Sequence, residues 1–278
     1  MPLESGNFIY ATCRQAGFST RSFIQNTPRD DWREARGATM QVSVEVYADG
    51  ELHVARPAWA EVPFLGHVEV VEDDFITEQV RGREYVFVVK CERAAAAPGY
   101  FPQEHQLIYD HRATAHMCSV LFDQMPALAP RKPPSPVILL APKLWLGPER
   151  TTHLMVAGYR ERDGADSSLD IMLFDADGQL LTSRTFPETH NRGMAVDCRA
   201  LLGEGAATET RLYTALGRGG CGSYTFLSLS HDARSGTSMV EHSLSPHYYI
   251  SGDRVAMRNA VLEYKDYALH TGPSAGRS

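Results

Sequence analysis

Hydrophobic and polar positions alternate in short runs along most of this chain, and turn-forming residues separate the runs. This is the pattern of half-buried strands. In the first part the runs are 8–12, 21–25, 40–47, 52–56, 66–71, 84–92, 105–111 and 117–123. In the second they are 137–141, 152–158, 168–174, 179–185, 194–197, 209–216, 224–230 and 238–243. Asp49-Gly50 and Asp177-Gly178 mark tight hairpins, because both residue types tolerate positive φ. No helical period is evident before Asp253, and 254–264 reads equally as a helix or a last strand.

Ala127 to Pro136 holds four prolines in ten residues, which suits an extended spacer and neither helix nor central strand. The segments on its two sides resemble each other. At an offset of 128, Ala48, Asp49, Gly50, Leu52 and Arg56 lie over Ala176, Asp177, Gly178, Leu180 and Arg184. Val68-Glu69 meets Val196-Asp197, and Arg83 and Tyr85 meet Arg211 and Tyr213. At an offset of 120, Leu107, His111, Ala113, Val120 and Pro126 meet Leu227, His231, Ala233, Val240 and Pro246. The change of offset implies an eight-residue insertion in the first copy, between Val88 and Leu107.

The expected fold is therefore all-β: two tandem homologous β-sandwich or jelly-roll-like domains with pseudo-two-fold symmetry. The expected boundaries are 1–126 for the first domain, 127–136 for the linker, 137–264 for the second domain and 265–278 for a tail.

Composition changes this picture little. Of 278 residues, 43% are hydrophobic and 22% charged, which excludes a disordered chain. The net charge of −7, without any long Lys/Arg run, argues against nucleic acid as a partner. Cys13, Cys91, Cys118, Cys198 and Cys221 are odd in number and show no CxxC spacing, so free thiols in a reducing compartment are expected. The N-terminus lacks the pattern of a signal peptide, and no apolar run approaches the ~20 residues of a membrane span. A cytoplasmic protein is expected, with no membrane partner.

A strand like Leu169–Phe174, the Asp177-Gly178 hairpin, the return at Phe186-Pro187 and the late strand ending Val240-Glu241-His242-Ser243 make the second part resemble the sensory rhodopsin transducer family of small β-sandwich proteins. The resemblance covers about a hundred residues. It implies the fold and carries no site residue.

Eleven histidines are the most suggestive chemistry. Strand alternation places His105, Tyr109 and His111 on one face. His105 and His111 are ~20 Å apart at ~3.3 Å per residue, too far to share an ion on a straight strand. His111 and His231 coincide in the repeat, beside Asp110 and Asp232. Two related sites, or one site between the copies, would follow. Glu241 and His242 are a candidate acid–base pair, His242 standing where the first copy has Phe122, with Tyr248 and Tyr249 nearby to stack on a ring. Arg218 lies in a glycine-rich stretch, 217–222, that could form an anion nest, though a hairpin loop is the simpler reading. Asp175 and Asp177 lack the rest of a calcium loop.

These positions lead to a small-molecule binding protein for an organic or saccharide-like ligand, with no cofactor or metal. The ligand residues would be Tyr248, Tyr249, Arg218, Tyr109 and His105. The alternative is an isomerase, cyclase or lyase using Glu241, His242, His111 and Asp110, and a scaffold module is a third reading. A homo-oligomer fits each of the three.

Overall fold

The computed structural model describes residues 3–26, 37–76, 83–94, 99–100, 104–123, 137–159, 168–187, 189–203, 208–219 and 223–242. The proline-rich segment 127–136, Tyr248, Tyr249 and the tail lie outside them. The described residues are almost wholly strand. In chain order these are β1 (Leu3–Ala11), β2 (Phe18–Gln25), β3 (Met40–Ala48), β4 (Glu51–Val62), β5 (His67–Val71), β6 (Val86–Ala94), β7 (Gly99–Tyr100), β8 (Glu104–His111) and β9 (Met117–Asp123). There follow β10 (Val137–Leu146), β11 (Arg150–Tyr159), β12 (Leu169–Phe174), β13 (Leu180–Phe186), β14 (Arg192–Asp197), β15 (Arg211–Gly219), β16 (Ser223–Asp232) and β17 (Ser238–His242). A 3-10 turn (Glu72–Asp74) follows β5, and a five-residue helix α1 (Cys198–Leu202) follows β14. Every run expected from the alternation falls on a strand. The two-residue β7 and these two turns of helix were not expected.

The strands form four sheets. Sheet A has the order β4-β3-β6-β1-β7 and sheet B the order β5-β2-β8-β9. Sheet C is β13-β12-β15-β10 and sheet D is β14-β11-β16-β17. Apart from β7, which falls where the sequence predicts an insertion, the second half repeats the strand order of the first.

Hydrogen-bond pairings place one half on the other more sharply than sequence identity does. Leu107 pairs with Val120 in one hairpin and Ser228 with Glu241 in the other. Ala115 and Gly236 share the positive-φ turn position, and each donates its N–H to the last residue of the strand before it. The structural offset here is 121, one more than the identities imply. His111 therefore corresponds to Asp232, and His242 corresponds to Leu121 rather than to Phe122. In β3 and β12 the offset is 127, because Val42, Val44 and Val46 face one core as Leu169, Ile171 and Leu173 face the other. The extra residue sits in the turn 175–179, where the first half has only Asp49-Gly50 between paired residues. Leu65 and Asn191, both at positive φ, set an offset of 126 at β5 and β14. A one-residue slip exchanges the two faces of a strand. Scattered identities tolerate such a slip; packing does not.

Sheets A and B enclose one core, with Phe8, Tyr10, Val44, Phe87, Leu107 and Tyr109 among its residues. Sheets C and D enclose another around Leu146, Val156, Ile171, Leu173 and Phe226. Sheet D is also buried on its other face. There Ala157 and Tyr159 lie against Ile9, Ala11, Val86 and Val88 of sheet A. Met155, Leu227, Leu229 and Val240 join the core of the first half. The Thr225 hydroxyl donates to the Ile9 carbonyl across the same junction.

A two-fold relation joins equivalent surfaces. The main contact here joins sheet A of one half to sheet D of the other, which are not equivalent. Like elements do meet at one corner: β9 lies beside β17, and hairpin turn 111–116 lies beside turn 232–237.

Candidate functional site

Three places concentrate chemistry. The first is a cleft of about 540 Å³ on the second half, lined by Asp175, Ala176, Asp177, Leu181, Leu202, Arg211, Leu212 and Tyr213. The turn after β12 forms one wall. Asp175 holds that turn by accepting the N–H groups of Asp177 and Gln179 on its Oδ1, at 3.0 and 2.8 Å. The start of β15 supplies Arg211, Leu212 and Tyr213, and the end of α1 supplies Leu202. α1 starts there because Asp197 caps it, accepting the N–H groups of Arg199 and Ala200. Leu181 and Leu212 leave much of their apolar surface in solvent. Arg211 pairs with Glu209 at 3.0 Å at the rim.

The corresponding place on the first half is filled. Gly50 and Tyr85 stand there for Gly178 and Tyr213. The second half lays its 190–193 turn over them: Gly50 N–H donates to the Asn191 carbonyl, and Gly193 packs against the Tyr85 backbone. A Cβ on Gly193 would stand 2.6 Å from the Tyr85 carbonyl oxygen. The first half's own version of this turn differs at two of these positions. His67 stands where Gly193 does, and the Gly178 N–H already donates to Asp175. Open space surrounds Gly178.

The second place is a buried ionic cluster in the first half. The Glu72 carboxylate accepts from Arg14 at 2.7 Å, Arg112 at 2.8 Å and the Thr20 N–H at 2.9 Å. Burial pushes its carboxyl up to about 7, against the pull of Arg14, the Thr20 N–H and Arg112. Glu84 accepts from the Thr12 hydroxyl and from the N–H groups of Arg14 and Gln15, and so pins the β1–β2 turn. Burial raises its carboxyl too. In the second half Cys198 and Leu212 take the positions of Glu72 and Glu84. The sequence reading missed both glutamates, which look like ordinary acidic residues beside other charges. The asymmetry between halves would have revealed them, had the structural offsets been known.

The third place is the corner where the hairpins meet. The imidazoles of His111 and His231 stack with centroids 4.0 Å apart and planes 22° apart. The halves thus bring together the two histidines matched by the sequence, although they are not structural equivalents. Phe18 meets both rings edge-on. His111 Nδ1 bonds the Thr114 hydroxyl at 2.9 Å, and His231 Nδ1 bonds the Ser238 hydroxyl at 3.0 Å. Burial, then the neighbouring His111, lowers the His231 pKa below its ordinary value.

The other expected site residues are dispersed. His105 and Tyr109 do face the same way, but into the core, where His105 packs on Phe8 and Tyr109 donates to the Ala11 carbonyl. Asp110 is paired with Arg21 at 3.0 Å. Glu241 and His242 lie on β17, at the edge of sheet D beside β9. Gly217 to Gly219 are strand rather than loop, and Arg218 is nearly buried in an ion pair with Asp170 at 2.5 Å. Among the described residues no cluster of three His, Cys, Asp or Glu could hold a metal ion. Cys13, Cys91, Cys118 and Cys198 are free, and burial pushes their thiols up. No described helix is long and apolar enough to cross a membrane.

No family model matches the chain, and no curated protein matches it. Solved structures that align with it include a glycosyl hydrolase family 2 member from Bacteroides cellulosilyticus, at 9% identity and a TM-score of 0.19. That alignment covers 87% of this chain and 26% of the hydrolase. The VP2 subviral particle of infectious bursal disease virus aligns at 8% identity and a TM-score of 0.26, covering 84% of this chain and 72% of VP2. A putative beta-galactosidase from Bacteroides fragilis aligns at 10% identity and a TM-score of 0.20, covering 86% and 32%. The chain thus spans about a quarter of the hydrolase and a third of the galactosidase. TM-scores of this size carry no argument about fold or function.

Proposed function

We propose that this protein binds a small organic ligand, and that the cleft under the 175–179 turn is its site. The observation that carries this reading is the unequal treatment of one place in the two halves. Among the described residues, the chain itself fills the place in the first half and leaves it open in the second. Its volume of about 540 Å³ lies within the usual range for small-molecule sites. Leu181, Leu202, Leu212 and the Tyr213 ring offer an apolar floor, and Asp175, Asp177 and Arg211 offer polar groups at the rim. That combination suits a compact molecule with one apolar face and several hydroxyl or amine groups, such as a saccharide-like ring.

The test is methyl-detected NMR of the full chain, titrated with a panel of monosaccharides, disaccharides and hydroxylated ring acids. At least one class is expected to shift the Leu181, Leu202 and Leu212 methyl signals. At 100 times its Kd that ligand should stabilise the fold by about 2.7 kcal/mol. Leu212→Asp should weaken binding at least tenfold, with a smaller loss of stability than a core substitution, since Leu212 lies outside the buried core at 38% exposure. A panel that leaves all three methyl groups unmoved would overturn the proposal.

A further inference from the structure

We propose that the stacked His111 and His231 rings form an acid-sensitive latch between the two halves, closed when both imidazoles are neutral and opened by protonation. The geometry leaves little alternative for a second charge. The ring centroids are 4.0 Å apart, nearly parallel, and Phe18 covers the same corner edge-on to both. Each Nδ1 is engaged by a hydroxyl of its own hairpin, Thr114 or Ser238. Parallel stacked rings bring two positive charges together without an anion between them.

The surrounding charges do not rescue that state. His116 comes from the same turn as His111 and adds a further proton-accepting group, not a counter-charge. Asp232 favours the charged form of His231, but it is committed to Arg150 at 2.6 Å. Asp110 is committed to Arg21, and Arg112 turns to Glu72 at 2.8 Å. Arg234, next along the second turn, is itself cationic. The latch lies where the Thr114 hydroxyl donates to the Gly236 carbonyl, so parting the rings also breaks a direct bond between the turns.

The sign follows from the depressed pKa of His231. The folded form holds the proton less tightly than the unfolded chain. The contact is therefore fully present above the ordinary value of 6.5 and is lost as the pH falls below it.

Hydrogen–deuterium exchange of the full chain at pH 7.5 and pH 5.0, corrected for intrinsic exchange, tests this. The amides of His111, Ala115, Asp232 and Gly236, each bonded within its turn, are read against those of β3 and β12. Acidification is expected to lower turn protection about tenfold relative to those strands, and His231→Phe should remove the dependence. Equal relative protection at both pH values would overturn the proposal, as would a His231→Phe protein that responds like the parent. An NMR titration of the unmodified chain guards against a variant that does not fold. A His231 titration lowered below 6.5 is expected. A His231 titration at the ordinary value would also sink the latch.

Discussion

Glu72→Ala is expected to destabilise the protein by about 3–5 kcal/mol, the usual cost of removing one partner from a buried ion pair. Glu72 is 1% exposed, and Arg14, at 5%, is nearly as deep. Removing the carboxylate leaves Arg14 without its main counter-charge and frees Arg112 and the Thr20 N–H at the same time. Urea midpoints at pH 7 read the effect directly. Glu69→Ala is the control: it removes an exposed partner of Arg21 and should cost under about 1 kcal/mol. Equal losses in the two variants would show that the buried cluster carries no special weight.

The same group sets a pH dependence. Its folded pKa, about 7, lies above the ordinary 4.5. Between those values the folded chain binds more protons than the unfolded chain. The proton-linked part of the Glu72 contribution is therefore fully present below about pH 4.5 and is lost as the pH rises through 7, while the contacts to Arg14, Arg112 and the Thr20 N–H remain for Glu72→Ala to remove. Glu72→Gln does not titrate, so its deficit relative to the parent should be largest near pH 5 and shrink towards pH 8. This trend is opposite in sign to the one expected at His231. The two are separable, because one is read from global stability and the other from local protection of the turns.

Gly193→Ala is expected to be nearly as damaging, at about 1–3 kcal/mol for a forced overpacking. The added methyl would meet backbone atoms of Tyr85, at 2.6 Å from the carbonyl oxygen and 2.8 Å from its carbon. Backbone cannot turn aside as a side-chain tip can. Relief requires β14 to part from the first half, so the variant should show lowered protection at the Gly50 amide, which is bonded to the Asn191 carbonyl. Gly178→Ala has open space around it, and its cost should come from the positive φ of 77° alone. Parental stability and Gly50 protection in Gly193→Ala would mean that the halves do not meet as closely as the structure shows.

Most of the architecture was legible in the chain. Strand alternation is a local signal, set by which side chains face water along an extended backbone, and it located nearly every strand. The Asp49-Gly50 turn was legible for the same reason: its conformation depends on the two residues that form it. The repeat was visible in outline, with offsets wrong by one or two in three places. Sequence identity does not register which face a residue presents, whereas Val44 and Ile171 both have to reach a core.

The candidate sites were much less legible. His105, Tyr109 and Arg218 are polar residues whose partners, Phe8, the Ala11 carbonyl and Asp170, come from other strands, so their exposure could not be inferred from their neighbours in sequence. Glu72 and Glu84 were overlooked because burial is decided by what packs over a residue. The cleft was invisible for a deeper reason. Among the described residues, the 190–193 turn lies over Gly50 and Tyr85 while nothing lies over Gly178, and that difference comes from how the two halves meet. By itself, then, the sequence determined where the strands run. Only the tertiary structure decided which faces of the two halves meet, which charges are buried and which surface stays open, because each depends on contacts between residues far apart in the chain.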